Sequence, residues 1–346
     1  MLPCMKSLIL PPRLRKGDTI GLVSPSAGIA PFAPQRIERA RAFFEEEGYK
    51  TSVAAHALQN AGYVAASAEA RAEDINAMFG DPNVTLIIAT LGGNHSNRLL
   101  NLLDYESIRA HPKAFFGYSD NTVLHFALAS QAHLASYYGP CAMTQFGEFP
   151  RVLDYTWEAF RWAIADEMGS DTRDIRPSQT WTDEILDWFS GEDGKRPREM
   201  RPNSGYEWLQ AGKAKGSAWG GAIPSINHLA GTRYWVDPED SIFFLDIPEG
   251  HDLHSGLSIS DVDAALADLD NLGVFERMHG LIVGRPCSYT DEMMVELKHL
   301  LLSYVKKKTC PILLNANVGH ADPIFTWRFG ATVELDSDRS LFRLSR

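Results

Sequence analysis

The heptapeptide Phe115-Phe116-Gly117-Tyr118-Ser119-Asp120-Asn121 runs directly into Thr122-Val123-Leu124-His125-Phe126-Ala127-Leu128-Ala129. An apolar run ends in a glycine, an aromatic and a serine, and a helix-like run begins. Strand, tight turn and helix is the geometry of a nucleophile elbow, which lifts a serine Oγ out of the backbone at the positive end of a helix. A serine held there attacks a carbonyl if a histidine and an acid reach it. The same residues also suit a plain helix cap, because Ser119, Asp120 and Asn121 can each satisfy orphan N–H groups. Asn121 stands where the general hydrolase motif has a glycine, so the segment needs support from the rest of the chain.

Outward from this turn, strand-like and helix-like runs alternate. Thr19 to Gly28 reads as a buried strand ending in a small-residue loop, Pro34 to Gly48 as an amphipathic helix, and Tyr49 to Ala54 as a short strand. Ala68 to Phe79 reads as a helix, Thr85 to Thr90 as an apolar strand broken by Gly92-Gly93, and Ser96 to Leu103 as a further helix. The alternation predicts an α/β fold with a parallel sheet. Ligands bind at the carboxyl ends of such strands. Three loops fall there: Ser24–Gly28, Gly92–Asn97 and Gly117–Asn121.

Composition changes from about Thr156. Trp157, Trp162, Trp181, Trp188 and Trp208 stand among Asp, Glu, Arg, Pro and Gly. This stretch reads as a linker or excursion partly stacked over a site, with most of its tryptophans anchoring packing. A second α/β unit follows, with Gly216–Gly221, a helix at Ile226–Leu229, and strands at Ser241–Asp246, Gly280–Gly284 and Pro311–Asn315. Helices are expected at Ser260–Leu272 and Asp291–Tyr304, and a closing hairpin at Ala331–Leu344. The expected organisation is a nucleophile domain at 1–155, a Trp-rich excursion at 156–215, and a C-terminal domain at 216–346 carrying the acid and the histidine.

A chain of 346 residues suggests two domains or one large one, and its 45% hydrophobic content is ample for a sizeable core. A formal charge of −11 argues against a nucleic-acid polymer or an anionic membrane as partner. No run approaches the ~20 apolar residues of a membrane span, and prolines interrupt the short N-terminal apolar run, so no signal peptide is expected. Cys4, Cys141, Cys287 and Cys310 are widely separated and read as reduced thiols of a cytoplasmic protein. Met1 and Met5 are both compatible starts. The His251/His254 pair lacks the glutamate and helix of a zinc motif and reads as a loop, so no metal is expected. No Gly-rich dinucleotide fingerprint is present, and no cofactor is expected.

A serine nucleophile needs a base, and the base an orienting acid. His320 follows the strand Pro311–Asn315 through Gly319, in a loop closing on Asp322-Pro323. His95, beside Gly92-Gly93, is its rival, whereas His125 lies within a helix and reads as packed. Asp246 ends an apolar strand and is the expected acid, with Glu249 in reserve. Backbone N–H groups of Gly93 and Asp120 are the expected oxyanion donors.

Several separated segments together resemble the LD-carboxypeptidase family of serine peptidases. They are Leu10-Pro-Pro-Arg-Leu-Arg-Lys-Gly-Asp-Thr-Ile-Gly-Leu-Val-Ser-Pro-Ser26, Thr90-Leu-Gly-Gly-Asn-His-Ser-Asn97, Phe116-Gly-Tyr-Ser-Asp-Asn-Thr122, Trp181-Thr-Asp-Glu184, Gly280-Leu-Ile-Val-Gly-Arg-Pro286, and Pro311-Ile-Leu through Gly319-His-Ala-Asp-Pro323. The Gly-Gly-Asn-x-Ser form and the long Trp181 region favour the microcin-immunity branch over the murein-recycling branch. The resemblance implies a Ser–Glu–His triad, with Ser119 as nucleophile, His320 as base, and Asp246 where the family has glutamate. Aspartate is one methylene shorter and falls short by about 1.5 Å unless the backbone adapts. Restoring the longer acid with Asp246→Glu is therefore expected to retain or raise activity.

The resemblance also implies an N-terminal α/β domain, a swivelling C-terminal α/β domain, a site between them, and a homodimer. The implied reaction is hydrolysis of an amide near a free carboxylate in a small peptide or peptidyl-nucleotide. In the murein branch the bond joins meso-diaminopimelate to a terminal D-Ala. In the immunity branch it joins a peptide-like aspartate to a nucleotide analogue. Asn94, Ser96 and Trp181 are the expected substrate contacts, Trp181 by stacking on a base. A murein-recycling carboxypeptidase is the alternative activity. A catalytically silent binding protein is the alternative of another class.

Overall fold

The computed structural model describes residues 8–166 and 170–346. Cys4 and the two candidate start methionines lie outside the described residues. The first sheet is built from β1 (Thr19–Val23), β2 (Lys50–Val53), β3 (Val84–Ala89), β4 (Ala114–Gly117) and β5 (Tyr137–Tyr138). Its order is β5-β4-β3-β1-β2, all parallel. Trp327–Arg328, from far along the chain, adds antiparallel to β5 as a sixth strand. β3 and β4 are almost wholly buried, as expected of strands covered on both faces.

The helices of this layer follow local signals. α1 (Pro34–Glu46) starts on a proline, whose missing N–H would have no helical partner. α2 (Ala68–Gly80) is capped by Ser67, whose hydroxyl accepts the Ala70 N–H. The helix expected at Ser96–Leu103 is instead a single tight turn, Ser96–Leu99, followed by α3 (Tyr105–Ala110). The Asp120 carboxylate draws in the N–H groups of His95 and Ser96, and Asp104 starts a new helix by capping Ser107. α4 (Thr122–Ala127) leaves the elbow, then widens into a π-helical turn over Leu128–Ala132 and ends with His133 in the left-handed region.

The stretch expected as a linker from residue 156 begins instead inside a buried helix, α5 (Asp154–Ile164). Trp157 stacks on Phe160 at 5.5 Å and meets Phe43 edge-on at 4.9 Å. Its apolar face completes the first core, so the composition change there does not mark a boundary.

The second sheet has eight strands. Lys213–Ala222, Ser241–Asp246, Gly280–Gly284 and Ile312–Ala316 form its parallel centre. The hairpin Thr332–Asp336 and Leu341–Ser345 extends one side. Thr172–Asp174 and Glu207–Gln210 close the two edges. The helices Ile259–Asn271 and Asp291–Tyr304 start on the hydroxyl caps Ser258 and Thr290. Among the described residues, no helix is long and apolar enough to cross a membrane.

Charge fixes the excursion to the first domain. Asp193 is 1% exposed and takes Arg36 at 3.1 Å, Arg39, and Gln35 at 3.3 Å. Trp188 lies under the Arg36 guanidinium at 4.3 Å. Removing one partner of a buried ion pair leaves the other uncompensated and costs about 3–5 kcal/mol. Asp193→Ala is therefore expected to lower the urea unfolding midpoint clearly. A midpoint equal to that of the unaltered chain would contradict this reading of how Asp193 straps the excursion to α1.

Candidate active site

Ser119 follows β4 through Tyr118 and has φ +63, a conformation uncommon for residues other than glycine and one that an elbow serine adopts. Thr122 opens α4 by donating its hydroxyl to the Ser119 carbonyl at 2.6 Å. The same hydroxyl accepts the N–H of Ala222 at 3.1 Å, tying the second sheet to the elbow. Gly92 abuts the serine, and a Cβ there would come within 2.9 Å of Ser119 Oγ. Only glycine allows that approach.

His320 Nε2 lies 3.0 Å from Ser119 Oγ, and Nδ1 lies 2.9 Å from the Asp246 carboxylate. A carboxylate accepts only, so Nδ1–H donates, leaving Nε2 of the neutral ring to accept from the serine hydroxyl. The chain thus brings together three residues spread over 201 positions of sequence. The expected shortfall of Asp246 does not occur. Gly319 presses against it, and a Cβ at 319 would fall only 1.9 Å from Asp246 Oδ1. The loop carrying His320 therefore approaches closely enough for the shorter acid to reach.

Glu249 is not in the reserve position. Its Oε2 is 3.9 Å from His320 Nε2, on the serine side of the ring. His95 is no rival base, because its ring lies 4.6 Å from that of Tyr63 and its N–H goes to Ser26 and Asp120. His125 is fully buried, with Nε2 donating to the Gly117 carbonyl at 2.9 Å and Nδ1 accepting from Ser136. Burial pushes it down to about 3, so it stays neutral. His251 and His254 lie in an exposed turn. Among the described residues, no group of three His, Cys, Asp or Glu side chains is arranged to hold a metal ion.

Burial alone would push the His320 imidazole down. Asp246, Glu249 and Asp322 outweigh it and hold the ring up at about 9. Asp322 shares Arg198 with Glu148 at 2.7 and 2.6 Å. A cleft of about 170 Å³ lined by Phe149, Pro150, Leu153, Pro197 and Met200 opens beside Arg198 and does not include Ser119.

Of the other expected residues, Gly93 has φ +144 and packs on Ser26, and the Asp120 carboxylate pins loop 92–97 to the elbow. Asn94 is exposed. Ser96 is fully buried, so its hydroxyl does not line a cleft, and its N–H is committed to Asp120. That corrects its expected role as a substrate contact. Trp181 is half-buried, and the Arg201 and Arg285 guanidinium groups lie over its ring at 4.3 Å each. A bridge between Thr182 and Asp322 brings this segment beside the His320 loop.

The sequence reading missed Tyr138. Its buried hydroxyl accepts the Ser119 N–H at 3.0 Å and donates to Asp246 Oδ2 at 2.5 Å. Burial and the Asp246 charge push the phenol well above its usual value, keeping it a donor. In sequence it is one aromatic of Tyr137-Tyr138, with no polar signal around it.

The architecture defines a class of two-domain α/β proteins with a polar site where the sheets meet. The signatures of the LD-carboxypeptidase N-terminal and C-terminal domains match residues 20–139 and 215–335. The chain belongs to the LD-carboxypeptidase family of peptidases. YocD of Bacillus subtilis, named for carboxypeptidase activity, is 33% identical over 94% of this chain and 95% of its own. The microcin C7 self-immunity protein MccF of Escherichia coli is 28% identical over 94% and 92%. Its solved structure without ligand matches with a TM-score of 0.89, at 26% identity over 98% of both chains. Other MccF structures hold aspartyl sulfamoyl adenosine or glutamyl sulfamoyl guanosine. A B. subtilis protein named for murein peptide carboxypeptidase activity is 26% identical over 94% and 91%.

Two outcomes follow for the acid. Asp246 has no room for a further methylene between Tyr138 and Gly319, so the expectation for Asp246→Glu reverses. That variant should turn over more slowly than the unaltered chain, as overpacked sites do. Tyr138→Phe removes only a hydroxyl. It should lower kcat/KM about 10- to 100-fold, the worth of a charge-assisted hydrogen bond, while thermal unfolding stays cooperative. Full activity in Tyr138→Phe would remove the tyrosine from the site.

Proposed function

We propose that this chain is a serine-type amide hydrolase of the immunity kind, acting on a small peptidyl- or aminoacyl-nucleotide. The observation that carries the reading is the continuous contact from Ser119 Oγ through His320 to Asp246. Ser119 attacks the scissile carbonyl, and its proton passes to His320 Nε2. The Gly93 and Asp120 N–H groups receive the developing oxyanion. His320 then protonates the leaving nitrogen, and the amide bond breaks to give an acyl-serine. Water, deprotonated by the same imidazole, releases the acid and restores Ser119. Asp246 orients the ring and stabilises its cation, and Tyr138 holds Asp246.

Trp181 supports the nucleotide side of the reading. The Arg201 and Arg285 guanidinium groups over its ring suit an anionic linker, and a planar base would stack on Trp181 by displacing one of them. Asn94, exposed at the rim, is a further contact. The intact Ser119–His320 geometry favours an active enzyme over a silent binding protein. A homodimer in the cytoplasm completes the proposal.

Incubating the chain with an aspartyl-adenylate amide and with a muramoyl tetrapeptide ending in D-Ala tests the substrate class. Release of the nucleotide portion is expected, and exclusive release of D-Ala would move the chain to the murein activity. Ser119→Ala should fold and lose at least about 10³-fold in turnover, as when a member of such a triad is removed. Near-normal turnover in that variant would end the serine mechanism.

The pH profile gives a separate check. His320 must be neutral to accept the serine proton, and its surroundings hold it protonated below about 9. In the free enzyme kcat/KM should therefore rise about tenfold per pH unit towards that value and level above it. A profile already flat at neutral pH would contradict the raised affinity of His320 for its proton in the free enzyme.

A further inference from the structure

Glu249 lies on the wrong side of His320 to orient it. Its Oε2 is 3.9 Å from Nε2, the nitrogen that also meets Ser119 Oγ at 3.0 Å. The side chain is 25% exposed, so the carboxylate borders solvent beside the nucleophile. Neighbouring carboxylates are matched by arginines: Asp183 by Arg201, and Asp322 by Arg198. Among the described residues, Glu249 is paired with His320 alone.

That pairing opposes catalysis. A carboxylate beside Nε2 favours a proton already resident on the atom that has to receive one. The other groups facing the imidazole are Asp246 at Nδ1, Asp322 from its own loop, and the Tyr118 ring at 4.9 Å. Asp246 is needed, and Asp322 is held by Gln145 and by Arg198, which it shares with Glu148. Of the carboxylates facing the imidazole, Glu249 has no arginine beside it among the described residues and borders solvent, so its charge is open to an incoming group.

We propose that Glu249 receives the free α-ammonium group of the substrate's acyl residue, so that the enzyme selects amides of amino acids whose α-nitrogen is unblocked. This inference rests on the serine amidase reading above. The two distances to Nε2 put Ser119 Oγ and Glu249 Oε2 no more than about 7 Å apart. In an α-aminoacyl group the ammonium nitrogen and the carbonyl carbon are about 2.5 Å apart. An attack distance and a hydrogen bond, about 3 Å each, cover the remaining span. The bound cation neutralises Glu249 and lowers the affinity of Nε2 for its proton, so substrate binding helps ready the base. An internal peptide residue has its α-nitrogen in an amide and carries no charge there. In a diaminopimelate the free ammonium sits at the far end of the side chain. The placement therefore favours aminoacyl conjugates over a tetrapeptide.

Calorimetry on the full chain carrying Ser119→Ala tests binding without turnover. The probes are alanyl sulfamoyl adenosine and its N-acetyl derivative, which differ only at the α-nitrogen. The free amine should bind about 10- to 100-fold more tightly. Adding Glu249→Gln should abolish that preference and leave the acetylated ligand's affinity unchanged. Equal affinities in Ser119→Ala, equal loss of both ligands with Glu249→Gln, or binding of neither ligand would each overturn the proposal. A serine-reactive phosphonate on the unaltered chain reads the amidase assignment separately. Ser119 left unlabelled while the amine preference persists would remove the amidase reading and leave the ammonium site standing.

Discussion

A carboxylate with no solvent exposure, Asp246, sits where the two sheets meet. A charge in that position is tolerable only if it is fully paired. Its two main partners come from different parts of the molecule: the His320 Nδ1–H from a loop of the second domain, and the Tyr138 hydroxyl from a strand of the first. Tyr138 in turn accepts the Ser119 N–H. The need to satisfy one buried charge therefore joins nucleophile, base and acid across the domain boundary. The Thr122 hydroxyl, shared by the Ser119 carbonyl and the Ala222 N–H, makes a second crossing at the same place. Trp327–Arg328, a strand from the C-terminal part, pairs with the strand that carries Tyr138 and makes a third.

The charges around His320 divide by what holds them. Asp246 is fixed from both sides. Asp322 shares Arg198 with Glu148 and accepts from Gln145 at 3.1 Å. Arg198 belongs to the excursion, Glu148 and Gln145 to the first domain, and Asp322 to the His320 loop. This ion cluster therefore does two things at once. It clamps the loop that carries the base, and it moderates a carboxylate that would otherwise act on the base in full. Glu249 has no comparable partner, which is why its charge is the part of the field that an incoming group can change.

Much of this arrangement is legible in the sequence. Glycine, aromatic and serine between an apolar run and a helix-like run identify the elbow, and the left-handed Ser119 backbone fits it. Asp246 and His320 are legible because each follows a strongly apolar strand in a parallel sheet. Other features are hidden for physical reasons. Asp246 looked too short because a sequence shows side-chain length but not the approach of Gly319. Tyr138 is silent because its role depends on what its hydroxyl meets across the domain boundary. Trp157 and Trp162 misled because polar residues on the outer face of an amphipathic helix resemble those of a linker. Ser96 sits in a motif that points to ligand contact, yet it is fully buried and its N–H is bonded to Asp120.

The excursion has little core of its own, and its position follows from what it binds. Asp193 holds it to α1 through Arg36 and Arg39, and Thr182 exchanges two backbone hydrogen bonds with Asp322, each 2.8 Å. Asp183 takes Arg201 and also the Ser288 N–H from the second domain. A segment anchored this way to both domains spans their boundary beside the reactive serine. It holds Trp181 there without building a third core, since the ring is fixed by Arg201 and Arg285, not by apolar burial. Charge-held anchors weaken with salt more readily than a packed core does where they are exposed to solvent. Arg201 is more than half exposed, whereas Asp193 is buried. Salt therefore acts first on the Trp181 end of the excursion, leaving the strap to α1 and the Ser119–His320–Asp246 contact in place.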